Sequence, residues 1–166
     1  MRLEIRSAGR YSKVKVSCSK AALVSGVQTV YKAVSPKATI QALSGVLVET
    51  CTQGLRLVAY DLDELGIETF VPVTVGTEGS TVIPAKYFSD ISRKLPQSEV
   101  SLEYREESQS VSISAGRADF TVKTMPAAEF PALPEISEAN SWSMPESELK
   151  TMIRRTIPAA AVDDAR

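Results

Sequence analysis

The chain has 166 residues, of which 43% are apolar, 6% aromatic and 23% charged, with a net charge of −1, enough for one well-packed core or for one domain and part of another. That balance excludes wholesale disorder, no apolar run approaches the ~18 residues a membrane-spanning helix needs, and the opening Met-Arg-Leu-Glu-Ile-Arg-Ser has no apolar stretch of the kind a signal peptide requires. The absence of histidine removes the commonest general base and metal ligand, which weighs against hydrolytic or metal-assisted catalysis.

In chain order, Lys13 to Cys18 alternates and predicts a strand. Ser19 is a good N-cap for a helix from Lys20 to Val34, in which Leu23, Val27, Val30 and Val34 recur at helical spacing and which Pro36 ends. Leu43 to Thr50 and Leu55 to Tyr60 form a hairpin about the turn Thr52-Gln-Gly54. A further strand is expected over Leu65 to Val75, then a loop over Gly76 to Ser80, and then a short strand over Thr81 to Ile83. Pro84 opens a second helix to about Leu95, with Tyr87, Phe88, Ile91 and Leu95 inward and Pro96 as the stop. Val100 to Tyr104, Val111 to Ala115 and Asp119 to Thr124 complete a meander. The result is β-α-βββ repeated twice, an α+β domain whose two helices cover one face of antiparallel sheets. Cys18 and Cys51 lie in strand-like apolar contexts and read as reduced core thiols of a cytosolic protein.

The charge is lopsided. Residues 1–48 hold eight basic side chains and one acidic, a net of +7 against −8 for the remainder, and no acidic residue lies between Lys20 and Val48. Lys20, Gln28 and Lys32 fall off the apolar stripe of the first helix, and Lys86, Arg93 and Lys94 off that of the second, where Asp90 is spaced to pair with Lys86. Solvated lysines commonly serve solubility alone. Two helices with basic outer faces, and Lys37 just beyond the first, point instead to a surface that meets phosphates.

The stretch from Gly116 to Ile136 begins as a strand with Phe120 and Val122 on one face and Asp119, Thr121 and Lys123 on the other. It then becomes a tether in which Pro126, Pro131 and Pro134 bracket Phe130 and Leu133. Together with Lys32-Ala-Val-Ser-Pro-Lys37 and Thr39-Ile40, Gly54-Leu-Arg-Leu57 leading to Asp61-Leu62, Leu65-Gly-Ile67, Ile83-Pro-Ala-Lys86 and Arg93-Lys-Leu-Pro96, this order resembles the bacterial β sliding clamp, the DNA polymerase III β subunit. The resemblance runs from about Ser17 to Ile136, and Glu148 to Ile153 with Asp163 to Arg166 resemble the first helix of that family's second domain.

The resemblance implies a DNA-clamp fold with an internal pseudo-two-fold repeat. It implies residues 1–12 as an extension, 13–137 as the first clamp domain and 138–166 as the truncated beginning of the second. It further implies a ring of two subunits around duplex DNA without sequence readout, no catalysis and no cofactor or metal, with replicative polymerase and clamp loader as partners through regions outside these residues. Lys32, Lys37, Lys86 and Arg93 would contact DNA, and Phe120 and Val122 would form apolar contacts across the ring-closing interface, leaving an exposed apolar edge in an isolated chain. Two departures are Thr39-Ile-Gln-Ala-Leu43, which lacks a proline the family usually carries, and one extra residue in Asp61-Leu-Asp-Glu-Leu65. Asp61, Asp63 and Glu64 are a weak candidate metal cluster, Gly76-Thr-Glu-Gly79 reads as a hairpin loop rather than a phosphate cradle, and Trp142 is expected to pack at the start of the second domain. The alternative is a stand-alone clamp-fold module that binds protein without forming rings.

Overall fold

A computed structural model of the chain describes residues 12–35, 39–62, 65–96, 99–134 and 143–160, with Ser12 and Lys13 described by backbone alone. Pro36, Lys37 and Ala38, the acidic pair Asp63 and Glu64, residues 1–11 of the N-terminal extension, Trp142 and Asp163 to Arg166 lie outside those residues. The chain divides into two compact units between Leu133 and Pro134, within the proline-bracketed tether.

The first unit is built from β1 (Ser12–Ser19), α1 (Lys20–Tyr31), a 3₁₀ turn (Gln41–Ser44), β2 (Gly45–Cys51), β3 (Gly54–Asp61), β4 (Leu65–Val71), β5 (Thr74–Pro84), α2 (Ala85–Lys94), β6 (Glu99–Arg105), β7 (Ser110–Ala115) and β8 (Ala118–Lys123). All pairings are antiparallel, in the order β4-β3-β2-β5-β1-β6-β7-β8. The two β-α-βββ halves expected from the sequence are therefore present, joined through one strand. The first part of β5 pairs with β1 (Ser17 opposite Thr74), and its last part with β2 (Gly45 opposite Pro84).

That strand is where sequence and structure differ most. The expected strand over Leu65 to Val75 breaks after Val71, because Pro72 cannot donate to the ladder, and the expected loop over Gly76 to Ser80 is the extended middle of β5. Gly76 lets β1 approach closely: a Cβ there would stand 3.3 Å from the Lys15 carbonyl oxygen. The Thr50 hydroxyl, which accepts from the Gly79 amide at 2.7 Å, ties the same stretch to β2. The missing proline between Thr39 and Leu43 is accommodated by the 3₁₀ turn, which buries Ala42 and Leu43.

Local chemistry explains the helices. Ser19 caps α1 by accepting from the Ala22 amide at 3.2 Å. The helix closes at Tyr31, three residues before the expected Val34, as Ala33 and Val34 donate back to Val30 and Tyr31 in tighter 3₁₀ fashion. Leu23, Val27 and Val30 are buried, and Gly26 lets α1 sit directly on the sheet, since a Cβ there would fall 2.4 Å from Val71 Cγ2. In α2 the inward residues are Ala85, Phe88, Ser89 and Ser92, with Leu95 just beyond, and Ile91 is half-buried. Tyr87, expected inward, is 61% exposed. Tyr87 adjoins Phe88 and cannot share its direction on a helix turning 100° per residue, so only one of the two faces the core, and it is Phe88, which has no hydroxyl to satisfy.

The meander β2-β3-β4 has apolar groups on both faces. Val46, Val48, Leu55, Leu57 and Ala59 join the main core under the helices. Val58 and Val82 form a second cluster on the opposite face with Ala42, Leu43 and Phe130, over which Leu47, Tyr60, Met125 and Leu133 pack. The tether is therefore a lid on that outer face, fixed at its start by reciprocal Met125–Val82 backbone hydrogen bonds of 2.9 and 3.0 Å. Arg56 ties the three strands of the meander, donating to Glu49 at 2.9 Å and to Glu68 at 2.6 and 2.8 Å. Burial works against the guanidinium charge, and the two carboxylates more than offset it, holding its pKa above the ordinary value.

Both cysteines are free. Burial, with the nearby Glu99 charge, pushes the Cys18 thiol up to about 11, so it is neutral at physiological pH. The tightest backbone requirement lies at Gly54, which has φ +122° and whose added Cβ would meet the Val71 carbonyl oxygen at 2.5 Å. Gly54→Ala should therefore cost about 1–3 kcal/mol and lower the melting temperature by several degrees, as read by circular dichroism. An unchanged melting temperature would mean that the turn relaxes freely.

The second unit contributes α3 (Glu146–Thr156) and a 3₁₀ turn (Ile157–Ala159). Glu146 and Glu148 lie in its first turn and Arg154 and Arg155 in its last, complementing the helix dipole. Leu149, Met152, Ile153 and Ile157 form an exposed apolar stripe.

Candidate nucleic-acid interface

The helix pair carries the basic surface. α1 and α2 pack against each other. Lys20, in the first turn of α1, donates its ammonium to the Leu95 carbonyl just past the end of α2. The two helices therefore run in opposite senses, and Lys20 satisfies a carbonyl at the negative end of the α2 dipole. This lysine, counted from the sequence among the outer basic residues, is half-buried and committed to holding the pair together.

Lys32, Lys86, Arg93 and Lys94 remain exposed on the outer face. Lys32 is the C-cap of α1 and donates its backbone amide to Val30. Arg93 bends along α2 and donates one guanidinium N–H to the buried Ser89 hydroxyl at 2.9 Å, which orients the fork and leaves its other donors available. Arg56 forms ion pairs with Glu49 and Glu68, whereas Lys86 and Asp90, spaced to pair, do not. The basic character of α2 is thus not cancelled by its own acid. The structure brings Lys32, Lys86 and Arg93 onto one helical layer, while Lys37 lies outside the described residues.

Phe120 and Val122 occupy β8, the open edge beside β7. Their side chains face inward: Val122 is 7% exposed within the main core and Phe120 is half-buried against it. The exposed apolar edge expected here is therefore covered by the unit's own core. Outward from β8, Asp119 accepts from the Ser112 hydroxyl at 3.0 Å and Lys123 donates to the Ser108 carbonyl at 2.7 Å. The opposite edge strand, β4, carries more apolar exposure, with Leu65 at 46% and Phe70 at 40%. No group of three or more potential metal ligands occurs among the described residues. No helix among them is long and apolar enough to cross a membrane.

An α+β clamp module with two antiparallel helices on one face of a continuous eight-stranded sheet is what the geometry defines. The family profile for the DNA polymerase III beta subunit, N-terminal domain, matches residues 14–134, and the chain belongs to that family. The beta sliding clamp of Bacillus subtilis is 34% identical over 161 residues, covering 92% of this chain and 42% of that protein. The clamp of Halalkalibacterium halodurans is 34% identical over 151 residues, covering 86% and 39%. Among solved structures, the DNA polymerase sliding clamp from Bacillus subtilis superposes with a TM-score of 0.85 at 34% identity, covering 93% of this chain and 42% of that one. The C. crescentus beta sliding clamp gives 0.80 at 30%, covering 95% and 42%. The chain thus spans about two fifths of the length of these relatives.

Proposed function

We propose that this chain is a portion of a β sliding clamp, the non-catalytic processivity factor that encircles duplex DNA and tethers the replicative polymerase in the bacterial cytoplasm. The observation that carries the reading is the antiparallel helix pair with Lys32, Lys86, Arg93 and Lys94 exposed on its outer face. Ammonium and guanidinium groups on such a layer neutralise phosphates without reading base edges, which is what a sliding ring requires. Lys37 belongs to the same surface in this reading. The open edge of β8, with Phe120 and Val122 behind it, meets a second subunit, and its free backbone groups suit strand addition. Polymerase and clamp loader bind the longer protein beyond these residues.

Fluorescence anisotropy of a labelled duplex titrated with the chain tests the DNA contact. Binding in the range of roughly 10⁻⁶ to 10⁻⁴ M is expected, falling steeply with salt and indifferent to sequence. Salt-insensitive or sequence-selective binding would overturn the reading.

A further inference from the structure

Among the described residues Tyr87 is, with Ile157 of the second unit, the most exposed of the large apolar side chains at 61%, and it stands on the outer face of α2 beside Lys86. The other helix repeats the arrangement. Tyr31, 39% exposed, ends α1 and is followed by the exposed Lys32. One pair closes α1 and the other opens α2. Because the helices run in opposite senses, both tyrosine–lysine pairs lie toward the same end of the helix layer. Neither phenol is engaged within the fold: among the described residues no side-chain hydrogen bond involves Tyr31 or Tyr87.

We propose that Tyr87, assisted by Tyr31, is a sugar-phosphate contact of the duplex, supplying a salt-independent part of the affinity beside the ion pairs of Lys32 and Lys86. A phenol donates one hydrogen bond to a phosphate oxygen while its ring covers the apolar edge of the deoxyribose, and neither contact displaces a condensed counterion. The occupant follows from charge. Lys32 and Lys86 adjoin these tyrosines in sequence, Arg93 and Lys94 follow in the last turn of α2, and Asp90 is the single acid of that helix, so the surface suits a polyanion better than an apolar protein face. The inference rests on the DNA-facing reading of the helix pair.

The two are separable in one experiment, in which duplex affinity is measured across a series of salt concentrations for the chain, Tyr87→Ala, Tyr87→Phe and Lys86→Ala. Tyr87→Ala should weaken binding about tenfold with the slope of log affinity against log salt unchanged. Tyr87→Phe should recover part of the loss through its ring, and Lys86→Ala should reduce the slope by about 0.9. If the parent chain binds with a steep salt slope and Tyr87→Ala matches it, the tyrosine contact is wrong and the DNA reading stands. If the parent chain shows no salt-dependent binding, both fail. If Tyr87→Ala instead lowers the mass in sedimentation equilibrium and leaves DNA affinity alone, the ring belongs to a contact between copies of the chain, and the proposal is overturned.

Discussion

Phe88→Ala should destabilise the first unit by about 3–5 kcal/mol, the largest effect expected of any single truncation in the helix layer. Phe88 is fully buried, and the rest of the inward face of α2 is small: Ala85, Ser89 and Ser92, with the half-buried Ile91 at its side. The Ser92 hydroxyl is spent on its own helix, donating to the Ser89 carbonyl at 2.9 Å, so it adds no grip on the sheet. Anchorage therefore rests on Phe88 and on Leu95 beyond the helix end. Truncating Phe88 leaves a cavity that the short neighbours cannot fill. Urea unfolding followed by circular dichroism would read the loss, and Phe88→Leu, which keeps most of the volume, should cost far less. Equal midpoints for Phe88→Ala and the parent would mean that α2 is held by something other than its core contact.

Replacing Lys32, Lys86 and Arg93 together by alanine should flatten the salt dependence of duplex binding by about 2.7 in slope, since each phosphate contact contributes roughly 0.9. Low-salt affinity should fall by more than two orders of magnitude, near the limit of detection for a chain with few contacts. Lys20→Ala is the informative control. Its ammonium is occupied at the Leu95 carbonyl, so its loss should lower stability modestly and leave the slope unchanged. A triple variant that binds with the parent's slope would place the DNA contact elsewhere on the molecule. A Lys20→Ala slope reduced as much as that of a single Lys86→Ala would show that the helix-end contact breaks readily in favour of phosphate.

Much of this architecture is written in local signals. Alternation at Asp119 to Lys123, the Ser19 cap and the Pro84 helix start each carry their own stereochemistry, and the corresponding elements form. The middle of β5 does not. Gly76-Thr-Glu-Gly79 has turn composition, and it is extended because β1 and β2 each pair with a part of the same strand, a demand made by residues some sixty positions upstream at β1. Tyr87 escaped for a related reason: helical spacing allows either Tyr87 or Phe88 to lead the apolar stripe, and the packing of α2 on the sheet admits one of them. Lys20 was legible as a basic residue off the stripe, but its use as an inter-helix tie depends on where α2 ends. Val122 was legible as apolar and strand-bound. Whether its face meets the parent core or a partner is a tertiary fact that alternation leaves open.

The two-sided use of β5 also has a consequence for how the chain is made. β2, β3 and β4 are consecutive and pair with one another through short turns, so this meander can form as soon as it leaves the ribosome. β1, which precedes this meander, pairs among the described residues with β5 and β6, and its partner Val100 lies beyond both helices. β1 must therefore wait, unpaired, until β5, some sixty positions later, has emerged, and its second edge stays open until β6 follows. During that interval the apolar β1 residues Val14, Val16 and Cys18 remain free for nascent-chain binding factors, and synthesis of β6 closes the second edge.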